Sequence, residues 1–202
     1  MSIRTVGLAI AGLIAGGLLA YAAVTGQGPA NTAPNATVTG KSLVGGPFAL
    51  TDHTGKRVTD KDFLGRYMLV FFGFTHCPDI CPSGLQVMTA ALDKVGNKAK
   101  IVTPVFITLD AQRDTPEKLA AYLKSFHPSL VGLSGTPEEL AVVAKLYRVF
   151  YQKVADEKTP DSYTYDHSAI YYLMGKDGAF VAPINHTTDV DELVRALNAA
   201  LP

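Results

Sequence analysis

Tyr67-Met-Leu-Val-Phe-Phe-Gly-Phe-Thr-His-Cys-Pro-Asp-Ile-Cys-Pro82 carries both the central element of the fold and the chemistry beside it. Its first half, Tyr67 to Phe74, is a continuous apolar run with aromatic and β-branched residues, which predicts a buried central strand. The following segment opens at Pro82, reads as helix through Lys94 and stops at Gly96. Pro just inside a helix start and Gly just past its end is the usual asymmetry. Between strand and helix stand Cys77 and Cys81, the two cysteines of a 202-residue chain. The sequence therefore places a thiol pair at a strand-to-helix turn.

That position has chemical consequences. Unpaired N–H groups and the dipole at a helix N-terminus favour an anion, so a thiolate there is stabilised. Thiolate is the form that attacks disulfides and the form that binds metals. Three intervening residues still permit an intramolecular disulfide, in a wider loop than the two-residue spacing of most oxidoreductases. Two soft sulfurs close together suit a soft ion such as Cu(I). The alternative is a pair of buried structural thiols or a static disulfide; Pro78 and Pro82, which expose and shape the loop, argue against it.

Outward from this stretch, strands and helices alternate. Gly46 to Leu50 and a segment near Val58 read as short strands around a turn at Asp52-His-Thr-Gly55. Ile101 to Leu109 is apolar and β-branched, but Pro104 inside it predicts an incompletely paired strand or a bulge. Thr115-Pro116 and Thr136-Pro137 each give an N-cap followed by Pro, and Thr136 with Glu139 completes a capping box. Leu119, Tyr122, Leu123 and Phe126 recur at helical spacing, as do Leu140, Val143, Ala144 and Tyr147. Leu130 to Leu133 is a brief strand. Ala169–Met174 and Ala179–Ile184 form a hairpin about Gly175-Lys-Asp-Gly178, and a last helix runs from about Asp189. The pattern predicts an α/β sandwich around a mixed sheet. A cysteine pair at the first strand-to-helix turn of such a fold is the thioredoxin arrangement.

Residues 1–24 read as a membrane anchor or signal segment. Val6 to Val24 carries no charge, follows Arg4, and is near the minimum length for a spanning helix. The positive-inside rule then keeps Arg4 cytoplasmic and sends the rest of the chain across. Ala20-Tyr21-Ala22 also fits a signal-peptide cleavage site, although an uncleaved anchor is the preferred reading. No cysteine lies near it, which excludes a lipoprotein, and it lacks the Arg- and Ser-rich character of a mitochondrial transit peptide. A bacterial inner membrane, with the domain on the periplasmic side, is the expected location. Residues 25–42, poor in large apolar residues, read as a flexible linker, and residues 43–202 as one domain large enough to bury a core. Eighteen basic residues against 18 acidic ones give a formal charge of zero, which argues against nucleic acid as a partner.

Five histidines compete to complete the site. His167, in Tyr165-Asp-His-Ser168, precedes the hairpin strand, and in a thioredoxin-like sheet the loop entering that strand lies beside the first helix N-terminus. Two thiolates and one imidazole form a trigonal set suited to Cu(I), with room for a further donor to Cu(II), and are one ligand short of a closed structural zinc site. Spacing alone leaves His167 a candidate rather than an assignment. Asp166 could orient its ring. His76, beside Cys77, is the runner-up, though it is expected to point away. His53, His127 and His186 read as surface or capping residues. Asp79 could serve as a helix-start acid or a docking charge. Tyr163, Tyr165, Tyr171 and Tyr172 read as core and rim.

The cysteine stretch, then Thr108-Leu-Asp-Ala-Gln-Arg-Asp-Thr-Pro116, then Tyr165-Asp-His-Ser168 with Tyr172-Leu-Met-Gly-Lys-Asp-Gly178, together resemble the Sco/SenC family of copper-binding proteins. The resemblance extends from about residue 43 to the C-terminus. It implies a thioredoxin-like fold and one copper ion, Cu(I) and/or Cu(II), held by Cys77, Cys81 and His167. It also implies a role in building the CuA centre of cytochrome c oxidase subunit II, with a further copper chaperone and a thioredoxin-like reductant as possible partners. This chain has Ala111 and Gln112 where the family usually carries Pro and often Glu, while Asp110, Arg113 and Asp114 are retained. Three functions follow: a copper metallochaperone, the preferred one; a thiol–disulfide oxidoreductase using Cys77 and Cys81 as its redox-active pair; and a redox or copper sensor. Disulfide exchange does not need His167, whereas three-coordinate copper does. A peroxiredoxin is disfavoured, because Thr75 stands two residues before Cys77 rather than three.

Overall fold

The computed structural model describes residues 43–155 and 163–202; the expected anchor (1–24) and linker (25–42) lie outside them. Among the described residues no helix is long and apolar enough to cross a membrane. Strands β1 (Ala49–Asp52), β2 (Arg57–Thr59), β3 (Tyr67–Gly73), β4 (Val102–Thr108), β5 (Val131–Ser134), β8 (Ile170–Met174) and β9 (Phe180–Asn185) form one sheet in the order β2-β1-β5-β4-β3-β8-β9. Its centre, β5-β4-β3, is parallel, and β1 and β8 join it antiparallel on either side. Helices α1 (Ile80–Val95), α2 (Pro116–Leu123), α3 (Pro137–Leu146) and α4 (Val190–Ala200) cover its faces, and β6 (Tyr151–Ala155) pairs with β7 (Tyr163–His167) in a separate ribbon. This is the thioredoxin-like α/β fold expected, a mixed sheet flanked by helices.

The apolar run of β3 explains why both faces of the sheet are covered. Side chains alternate across a strand, so Leu69 and Phe71 enter one core while Met68, Val70 and Phe72 enter the other. The first core takes Leu85, Met88 and Leu92 of α1, Leu119 and Leu123 of α2, and Leu193 and Leu197 of α4. The second takes Leu140, Val143 and Ala144 of α3. Each Val, Leu, Phe or Met among these contributes about 1.5–3 kcal/mol when fully withdrawn from water, so β3 is held rigidly from both sides.

Local signals fix the element ends. Thr136 Oγ1 accepts from the Glu139 amide at 3.3 Å, and the Glu139 carboxylate accepts from the Thr136 amide at 3.0 Å, the expected capping box. Thr115 accepts from the Lys118 amide, and Asp189 from the Asp191 amide. Helix α1 ends at Gly96, whose φ of 61° lies in the left-handed region that favours glycine. Two expectations need correction. Helix α1 starts at Ile80, not Pro82, so Cys81 lies inside its first turn. Pro104 neither frays nor bulges β4: it stands opposite Leu69 in a continuous parallel ladder. The β4–β5 ladder begins only at Val105, so the missing N–H costs it no rung.

Candidate metal centre

Cys77 sits in the turn leaving β3, its amide donating to the Phe74 carbonyl at 3.2 Å. It is half-buried, whereas Cys81, in the first turn of α1, is completely buried. The burial of Cys81 departs from the exposed loop that Pro78 and Pro82 suggested, and Gly73 accounts for it. A Cβ on Gly73 would lie 2.6 Å from Cys81 Sγ and 2.9 Å from Phe106 Cε2. The end of the central strand thus leaves one methyl-sized space, and the sulfur fills it.

The third group comes from the ribbon. His167 is the last residue of β7, paired with Tyr151, rather than part of a loop. Its Nε2 lies 3.5 Å from Cys81 Sγ, and one ligand atom each of Cys77, Cys81 and His167 all lie within 4.8 Å of one another. Its Nδ1 is 3.1 Å from the Ser168 carbonyl, which can only accept. The neutral ring therefore keeps its proton on Nδ1 and turns a lone pair on Nε2 toward the sulfurs. The ring stands edge-on to Phe74, centroids 5.9 Å apart. Ser168 fills the orienting role considered for Asp166, which is exposed.

The two thiols divide one proton unequally. Cys77 is drawn down to about 4, chiefly because its thiolate accepts a hydrogen bond from the Cys81 side chain. The Cys81 amide, in the first turn of α1, also points at Cys77 Sγ at 3.4 Å. Cys81 is pushed upward because it is the donor in that bond and because burial penalises its anion. Cys77 and His167 line an open cleft of about 410 Å³ beside Phe74, Ile80 and Tyr165, with the buried Cys81 sulfur next to His167.

The other histidines are engaged elsewhere. His76 turns toward Thr75 Oγ1, 3.2 Å away, as expected of a residue pointing off the site. His53 accepts from the Gly132 amide, and His127 caps Ser129. His186 lies parallel to the Tyr171 ring and 3.5 Å from Ser83 Oγ. Asp79 precedes α1 without capping it through its side chain. Tyr171 and Tyr172 are core, and Tyr163 and Tyr165 line the rim.

Carboxylates missed by reading the sequence residue by residue lie just behind. Asp114 is completely buried and accepts from the Thr75 amide at 2.9 Å, Thr75 Oγ1 at 2.5 Å and Thr108 Oγ1 at 2.6 Å. It thereby fixes the turn two residues before Cys77. Asp110, equally buried, pairs with Arg113 and accepts from Tyr163 Oη at 2.9 Å. Their retention in the stretch 108–116 was the available signal.

The SCO1/SenC family model matches residues 36–202. The chain belongs to the SCO1/SenC family. This SCO1/SenC chain is 50% identical over 144 residues to the mitochondrial Protein SCO1 homolog of Homo sapiens, covering 70% of this chain and 48% of that protein. It is 38% identical over 141 residues to the SCO2-like protein RP587 of Rickettsia prowazekii, covering 70% and 69%. It spans about half the length of several of the curated relatives it matches. Among solved structures it resembles copper-bound ScoI of Bradyrhizobium japonicum, at 46% identity and a TM-score of 0.71, covering 78% of this chain and 99% of that one.

Proposed function

We propose that this SCO1/SenC chain is a copper metallochaperone that holds one copper ion through Cys77, Cys81 and His167. The observation that carries the reading is the convergence of two sulfurs and an unprotonated imidazole nitrogen within 4.8 Å of one another. Two soft sulfurs and a neutral imidazole suit Cu(I), with room for a further donor to Cu(II). The hydrogen bond from Cys81 favours the thiolate of Cys77, whereas burial favours the thiol of Cys81, which must give up its proton to bind the ion. The same three-donor set falls one ligand short of a closed structural zinc site, and an incomplete shell suits an ion that must leave again. Relatives of known copper content support the metal, since ScoI of Arabidopsis thaliana, 44% identical, was also solved with copper bound.

The copper passes by ligand exchange to the CuA centre of cytochrome c oxidase subunit II, or to a similar acceptor. Residues 1–24 tether the domain to a bacterial inner membrane, with residues 25–42 as the linker and residues 43–202 on the periplasmic side. A thioredoxin-like reductant keeps the cysteines reduced, and another copper chaperone can load them. The test is Cu(I) and Cu(II) titration of the reduced full chain, followed by absorption and EPR. A one-to-one complex with a sulfur-to-Cu(II) charge-transfer band, altered in His167→Ala and absent in Cys77→Ser and Cys81→Ser, is expected. Wild-type copper binding by His167→Ala overturns the ligand set.

A further inference from the structure

The ribbon that carries His167 is not laddered to the seven-stranded sheet. Among the described residues, backbone joins β7 to the sheet only beyond His167, where the Ala169 carbonyl accepts from the His186 amide, and the rest of the ribbon is seated by side chains. Alternate residues of a strand share a face, and in β7 those residues are Tyr163, Tyr165 and His167. Tyr165 and His167 both stand edge-on to Phe74, at 5.5 and 5.9 Å between centroids, and Tyr163 stands edge-on to Tyr165 at 5.7 Å. At the far end of this row the Arg113 guanidinium lies 3.7 Å from the centre of the Tyr163 ring and 6.0 Å from that of Phe74. Its Nη1 donates to the Tyr163 carbonyl at 2.9 Å, and its Nε to the buried Asp110. Its Nη2 is buried and makes no hydrogen bond among the described residues. The guanidinium thus combines polar partners on Nη1 and Nε with the ring faces of Tyr163 and Phe74.

We propose that Arg113 is a positioning residue for the metal site: it docks the β7 ribbon and so sets the separation of His167 from the two sulfurs. The inference rests on the ligand set of the preceding section. The adjacent Asp114 holds the cysteine turn through Thr75. One short segment, Asp110 to Asp114, therefore grips both halves of the site, the sulfur half by a carboxylate and the nitrogen half by a guanidinium. A lysine could keep the charge there but not the planar stack and the two-pronged donation.

The test uses the reduced full chain, with Cu(I) affinity measured against a chromogenic Cu(I) chelator and Cu(II) followed by absorption and EPR. Arg113→Gln is expected to weaken Cu(I) by ~10- to 100-fold, the usual effect of removing a group that orients a ligand. Its Cu(II) spectra should move toward those of His167→Ala. Tyr163→Leu, which leaves the Arg113–Asp110 pair intact and guards against misfolding of the first variant, should do the same, while Tyr163→Phe should retain the wild-type spectra. The decisive readout is the double variant Arg113→Gln/His167→Ala, expected to bind no more weakly than His167→Ala alone. Additive losses, or wild-type spectra and affinity in both Arg113→Gln and Tyr163→Leu, overturn the proposal. Wild-type copper binding by His167→Ala would instead remove the ligand set, and this inference with it.

Discussion

Gly73→Ala is the smallest change that reaches the proposed metal site from the core. The new methyl would meet Cys81 Sγ at 2.6 Å and Phe106 Cε2 at 2.9 Å, whereas ordinary contact begins near 3.4 Å. The sulfur would have to retreat by about 0.8 Å, from 2.6 to 3.4 Å, or β3 would have to shift. Neither is easy, because Gly73 is paired to Thr108 of β4 and Cys81 is fully buried. Overpacking of this kind costs about 1–3 kcal/mol. The lost freedom of the unfolded glycine returns roughly 0.4–1 kcal/mol. The net destabilisation, taken from the middle of each range, is about 1.3 kcal/mol, a fall in Tm of roughly 3–5 °C for a domain of this size.

The metal should register the change more strongly than the fold does. Binding sites must hold their groups within about 0.5 Å of the working geometry, and the sulfur displacement exceeds that. Cu(I) competition and calorimetric melting of the apo protein, run side by side, separate the two effects. The expected outcome is a modest fall in Tm with copper affinity lowered at least about tenfold. A variant that melts as wild type and binds copper as wild type would refute the packing argument. So would a crystal structure of Gly73→Ala in which neither Cys81 Sγ nor β3 has moved.

Other outcomes follow from the same contacts. In the folded protein Cys77 titrates near 4 instead of 9.0, so the reduced protein gains stability from it as pH rises from about 4 toward 9 and loses that gain on acidification. Cys81 has the opposite sign: above about pH 9 the unfolded chain releases a proton that the native state keeps. The urea midpoint of reduced wild type minus that of Cys77→Ser, followed against pH, should rise across the first window; a flat difference refutes the shared proton. Asp114→Ala strands the donors of Thr75 and Thr108 and should cost about 2–4 kcal/mol in urea unfolding, with copper affinity falling too. Thr136→Ala removes a capping box remote from the site and should cost about 1 kcal/mol while leaving copper binding unchanged.

The fold was legible where one local signal dominates. An apolar run such as Tyr67–Phe74 has few ways to be satisfied other than as a strand covered on both faces, and Thr-Pro caps mark helix starts through their own hydroxyls. The ribbon β6–β7 was not foreseen because its stability is not local. Tyr151-Gln-Lys-Val-Ala155 is exposed or half-buried throughout and shows no clean apolar alternation. Its partner strand is held by Phe74 and Arg113, 89 and 50 positions before Tyr163. Pro104 misled for a related reason: whether a proline breaks a ladder depends on where the neighbouring strand begins, and here β5 starts pairing one residue later.

The site was legible to the extent that its chemistry needs particular side chains. Cysteine and histidine announce themselves, but the group that orients His167 is the Ser168 carbonyl, and a backbone atom leaves no trace in residue types. Nor does an absence: the space for Cys81 is the Cβ that Gly73 lacks. The departures from the family pattern at Ala111 and Gln112 become intelligible in these terms. Gln112 Oε1 accepts from Tyr163 Oη at 3.2 Å and from Lys153 Nζ at 3.3 Å, one contact from each strand of the ribbon. Ala111 packs against the core on the other face of the sheet. Neither touches a sulfur or His167, while Asp110, Arg113 and Asp114 do the holding. The chain thus varies where a neutral amide can still accept the ribbon's donors, and keeps its charges where a buried pair or a buried carboxylate leaves no substitute.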